Sequence, residues 1–125
     1  MTNEARAGKE SPIACDMTAI EPGLRARHVA TGGEVLRAVA EIQELPDGYA
    51  FRLPAEPDTL HKTVEFISLE RLCCPFLGFT LAVEPEGGPV WLRLTGRVGV
   101  KEFIREEVSG LLGGAINWEG AKLAG

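Results

Sequence analysis

The sequence lacks any run of about 18 apolar residues, the length a helix needs to cross a bilayer, so membrane insertion is excluded. It also lacks positive charge: 13 Lys+Arg stand against 18 Asp+Glu, a net charge of -5 and the wrong sign for a phosphate-backbone binder. No nucleic acid is expected as a partner. Residues 1–11 contain no apolar core segment of the kind a secretory signal needs, so a cytoplasmic location is expected. Three cysteines are too few, and odd in number, for a disulfide framework, and a cytoplasmic setting keeps thiols reduced. Two histidines make no cluster. Also missing are a Ser/His/Asp order, a nucleophile elbow and a dinucleotide fingerprint, so the sequence carries no positive mark of an enzyme.

What is present fits one folded domain: 125 residues, 45% hydrophobic and 25% charged. Residues 1–12 are expected to be disordered, 13–112 to form a single α+β domain, and 113–125 to be a flexible tail. Within that tail, Ile116 and Trp118 are the residues expected to dock.

Glu21-Pro22 marks a helix start, because proline costs nothing at the first helical position. A first helix over 21–31 follows, left open at Gly32-Gly33, where each glycine costs about 1 kcal/mol in a helix interior. Alternation over 37–45, the turn residues Pro46-Asp47-Gly48, and alternation over 49–53 predict a hairpin. Asp58 or Thr59 is the expected cap of a second helix ending near Cys73. Its apolar stripes are Leu60, Val64, Ile67 and Leu72, then Phe66, Leu69 and Cys73. Pro75 stops it.

Alternation over 76–84 and 90–94 about Pro85-Glu86-Gly87-Gly88 predicts a second hairpin, and Val100, Phe103, Ile104, Val108 and Leu111 a last helix over 99–112. Two hairpins, each followed by a helix, plus an N-terminal helix give a four-stranded antiparallel sheet with the helices on one face. Trp91, Phe76 or Tyr49 on the other face would invite a second copy, so a homodimer is expected.

The chemistry concentrates in Glu70-Arg71-Leu72-Cys73-Cys74-Pro75-Phe76. Adjacent cysteines on a regular helix point about 100° apart, but Pro75 drives Cys74 out of helical geometry and can turn both sulfurs toward one point. Cys73 and Cys74, with Cys15 as a third donor, suit zinc or another thiophilic metal such as copper(I) or mercury. Glu70, His28, His61 or water are candidates for a fourth ligand. Against this stand the missing Cys-x-x-Cys spacing and the thiols' place at a helix C-terminus. There the macrodipole and Glu70 both oppose the thiolate.

The runs Cys15-Asp16-Met17-Thr18-Ala19, Leu45-Pro46-Asp47-Gly48-Tyr49-Ala50-Phe51-Arg52, Glu70-Arg71-Leu72-Cys73-Cys74-Pro75-Phe76 and Gly88-Pro89-Val90-Trp91-Leu92, with Thr95-Gly96 and Lys101-Glu102-Phe103, resemble a family of small uncharacterised bacterial proteins. Its signature includes Glu-x-x-Cys-Cys-Pro-Phe, and similar Cys-Cys-x-Phe segments resemble pieces of proteins linked to heavy-metal resistance. The chain departs from the family's acidic or polar helix residues at Gly32-Gly33 and Arg97.

Elsewhere, the Gly96-Arg97-Val98-Gly99 segment reads as a tight strand-to-helix turn rather than an anion loop. His61 and Glu65 read as a solvated pair, and His28 as packed or at the surface. Glu102, Glu106 and Glu107 read as solvated residues early in the last helix. Three functions remain open: a metal or soft-ligand binder using Cys73 and Cys74, a non-catalytic dimeric interaction domain with structural cysteines, and a thiol redox protein.

Overall fold

The computed structural model describes residues 10–114, Ile116, Trp118 and the backbone of Lys122–Leu123. The expected disorder of 1–12 falls mostly outside the described residues, as does much of the expected tail. Two 3-10 turns, Met17–Ala19 and Pro22–Leu24, lead into α1 (Arg25–Arg37). Then come β1 (Glu41–Leu45), β2 (Gly48–Leu53), α2 (Pro57–Cys73), β3 (Gly78–Val83), β4 (Val90–Thr95), α3 (Val100–Leu112) and the short β5 (Lys122–Leu123).

The sheet order is β3-β4-β2-β1-β5. The first four strands are antiparallel neighbours, and β5 runs parallel to β1. The fold is α+β, two hairpins each followed by a helix, with α1 preceding both.

Successive strand residues face opposite sides of the sheet. In β4 this puts Val90, Leu92 and Leu94 inward, buried, and Trp91, Arg93 and Thr95 outward, half-buried. Register carries Leu53, Phe51 and Tyr49 to the same inner side as Val90, Leu92 and Leu94. These residues meet Val35 and Leu36 of α1, Phe66 and Cys73 of α2, and Val100, Ile104 and Val108 of α3 in one core.

Tyr49 is therefore not on the open face: it is buried, with Trp118 packed 4.8 Å from it between ring centroids. Phe76 lies in the turn after α2 and meets Phe103 edge-on at 4.8 Å. Of the three aromatics expected on the open face, Trp91 is there.

The first helix begins and ends later than the local pattern predicts. It starts at Arg25, because the stretch after Pro22 winds as a 3-10 turn, and it runs through Gly32-Gly33 to Arg37. Tertiary packing overrides the glycine cost here: a Cβ on Gly32 would sit 2.9 Å from Phe66 Cε1, so the missing side chain lets α1 approach α2 closely. The residues from 37 to 40 are consequently not strand.

The second helix starts one residue before Asp58, with Pro57 in its first turn and no side-chain cap. Its buried stripe is Thr63, Phe66, Glu70 and Cys73, while Val64 and Leu72 are exposed. Polar residues can occupy that stripe because partners are built in: Thr63 Oγ1 donates to the Thr59 carbonyl at 2.7 Å, and Glu70 meets His28. Among the described residues no helix is long and apolar enough to cross a membrane.

Candidate metal centre

The end of α2 determines where the thiols sit. Pro75 keeps Cys74 out of the helical region, at φ -128°, ψ 67°, although the Cys74 N–H still donates to the Glu70 carbonyl at 2.8 Å. The two sulfurs come to 3.7 Å of each other. The last carbonyls of a helix have no partner within it. Cys73 O finds one in the Asp16 N–H at 2.9 Å, and the Asp16 side chain in turn caps the Met17–Ala19 turn through Thr18 N at 3.0 Å. That capping contact draws the N-terminal segment across α2 and delivers Cys15.

Cys15, Cys73 and Cys74 place their sulfurs within 4.8 Å of one another. Cys73 and Cys74 are wholly buried, whereas Cys15 is exposed. Glu70 sits behind the vicinal pair, one carboxylate oxygen 3.5 Å from Cys73 Sγ and the other 3.5 Å from Cys74 Sγ. The first of those oxygens is also 2.7 Å from His28 Nε2. Two further combinations hold together within 4.8 Å: His28, Glu70 and Cys73, and Glu70, Cys74 and Glu107. The cluster thus draws on α1, the C-terminal turn of α2, α3 and the segment before the first 3-10 turn.

The electrostatics are asymmetric. The hydrogen bond from Cys74 pulls the Cys73 thiol down to about 6, with help from His28 and against burial and the charge of Glu70. The hydrogen bond to Cys73, and then burial, push Cys74 far up, and burial with the same neighbour pushes Cys15 up to about 12. One thiolate, on Cys73, is therefore stabilised by two thiols and an imidazole. The macrodipole and Glu70 were expected to oppose any thiolate; Glu70 does so, and the donors around Cys73 outweigh it.

Burial works against a charged His28, but the neighbouring Cys73 and the hydrogen-bonded Glu70 raise it to about 9. Glu70 is held below the usual carboxylate range: burial opposes ionisation, and His28 more than compensates. Glu107 is pushed up to about 8 by burial and by the charge of Glu70.

The four residues expected at the site, Cys15, Cys73, Cys74 and Glu70, come together. His61 does not join them: it is exposed on α2, and Glu65 pairs with Arg27 at 2.7 Å instead of with it. His28 and Glu107 are the members that the local pattern undervalued. His28 is buried, stacks on Phe66 at 5.3 Å, and keeps a buried Nδ1 without a hydrogen-bond partner. Glu107 is half-buried rather than solvated. It continues the Val100, Ile104, Val108 stripe of α3, and a carboxylate on that stripe was the available signal.

No family model matches the chain, and neither a curated protein nor a solved structure matches it. The site is read from its own chemistry.

Proposed function

We propose that this protein binds a soft thiophilic metal ion, zinc or a softer cation, through Cys15, Cys73 and Cys74, with Glu70 and His28 supporting the sulfurs. The observation that carries the reading is the convergence of three sulfurs, from two segments remote in sequence, to within 4.8 Å. In a tetrahedral site with metal–sulfur bonds of about 2.3 Å, neighbouring sulfurs lie about 3.8 Å apart. The Cys73–Cys74 separation is 3.7 Å, so the vicinal pair fits such a site without moving. The anionic Glu70 behind the sulfurs opposes extra thiolates in the empty cluster but favours a cation among them. Three free cysteines are compatible with a reducing compartment.

Native mass spectrometry of protein purified under reducing conditions without chelator tests the reading. The expected spectrum shows about one metal ion per chain, lost in Cys73→Ser while circular dichroism is kept. A bare, fully reduced chain that takes up neither Zn2+ nor Cu(I) overturns it and leaves the sulfurs as packing atoms. The same spectrum reads the homodimer expected at the Trp91 face.

A thiol redox role is the second reading, favoured by the low Cys73 thiol beside a second sulfur. Rapid alkylation of Cys73 at neutral pH in a protein that takes no metal decides for it.

A further inference from the structure

Cys73 and Cys74 have no solvent exposure, so an ion cannot reach them directly from water. The cluster is nevertheless open on one side. A cleft of about 220 Å3 between α1 and α3 is lined by Cys15, Met17, His28, Glu70, Glu106 and Glu107. It reaches from the exposed Glu106 to the buried Glu70, whose carboxylate accepts hydrogen bonds from both inner thiols. The exposed Glu106 carboxylate at its mouth attracts cations, and Met17 and Cys15 add soft sulfur donors on its wall. Gly110, exposed on α3, also lines it, and a Cβ there would meet nothing within 4 Å. A larger side chain at 110 would have the empty cleft before it.

We propose that this cleft is the loading port of the thiol cluster, and that a soft cation is taken first by Cys15, which keeps it while Cys73 and Cys74 join the coordination. The inference rests on the metal reading above. Each step is ligand exchange with no change of oxidation state. A sulfur–metal bond forms, a bond from the ion to a water ligand breaks, and where the entering sulfur is a thiol its proton leaves to solvent. Cys15 suits the first step because it is the exposed member and already lies within 4.8 Å of both inner sulfurs.

Stopped-flow loading with Cd2+ alone, followed by the ultraviolet absorbance of the thiolate–cadmium bond, tests the port. Gly110→Phe should fill the cleft and slow loading about tenfold, because uptake then waits for the plug to swing aside, with final stoichiometry unchanged. Gly110→Ala should load at the wild-type rate. Glu106→Trp plugs the same mouth from an exposed position and carries the test if Gly110→Phe fails to fold. Cys15→Ser should load slowly and reach a smaller final absorbance. Wild-type rates in the plugged variants overturn the port, and a wild-type rate in Cys15→Ser overturns Cys15 as the first ligand. Wild-type protein that takes no Cd2+ at any time overturns the metal reading itself, and the port with it.

Discussion

The two hairpin–helix units end in different ways. α3 closes locally: Gly113 turns left-handed at φ 71°, ψ 21°, its N–H meets the carbonyls of Ser109 and Gly110, and Gly114 N–H returns to Ser109 at 3.2 Å. α2 ends on Cys74 in non-helical geometry before a proline, and the carbonyl of Cys73 is satisfied by Asp16, far away in the chain. A locally capped end needs nothing from elsewhere and assembles nothing. A remotely capped end recruits a third segment, and here that segment brings the third sulfur. The difference in capping explains why one unit carries the cluster and its counterpart lends it only Glu107.

The contrast is broken most severely by Glu70→Ala, which leaves His28 buried without its partner. The expected loss is about 3 to 5 kcal/mol, as for other buried pairs deprived of one member, measured by chemical denaturation of the metal-free protein. A loss below about 1 kcal/mol would mean that the pair does not hold the α2 end together.

The next effect is on pH dependence and tests what α3 lends. Glu107 has a folded value of about 8 against an ordinary 4.5, so its protonated form stabilises the fold fully below 4.5 and that contribution is lost as pH rises through 8. His28, raised from 6.5 to about 9, loses stabilisation over an overlapping range, while Cys73, lowered from 9.0 to about 6, gains it there. These two largely offset. Metal-free stability should therefore fall between pH 5 and 8, and Glu107→Gln should flatten the slope; an unchanged slope in that variant would remove Glu107 from the buried network.

The smallest effect sharpens the comparison from the other end. Gly113→Ala places a Cβ in left-handed backbone and should cost about 1 kcal/mol. Metal stoichiometry should stay at the wild-type value, because nothing at that end reaches the thiols. Reduced uptake in Gly113→Ala would show that the two ends are coupled.

Much of the architecture was legible along the chain. Alternation and turn residues marked both hairpins, and Pro75 marked the end of α2, because these signals act between neighbours in sequence. The first helix was not legible through Gly32-Gly33: the gain from a close approach to Phe66 appears only when α2 is in place. The buried stripe of α2 was only partly legible for a related reason. Phe66 and Cys73 were expected in it, but Thr63 and Glu70 look like outward residues until Thr59 and His28 satisfy them, and Val64 and Leu72, expected in a second inner stripe, are exposed.

At the site, Cys73 and Cys74 announced themselves by adjacency and by the proline that follows. Cys15 was a candidate only by residue type, His28 was one of several fourth-ligand candidates that otherwise read as packed or at the surface, and Glu107 read as solvated. Local signals fixed the order of the two hairpin–helix units, the helix stop at Pro75 and the pairing of two thiols at one corner, since propensity and local sterics operate over a few residues. Which distant groups surround that corner depends on long-range packing. An orphan carbonyl at the end of α2, a carboxylate too buried to stand alone, and a missing Cβ on α1 each demand a partner that the chain supplies from elsewhere once it is folded.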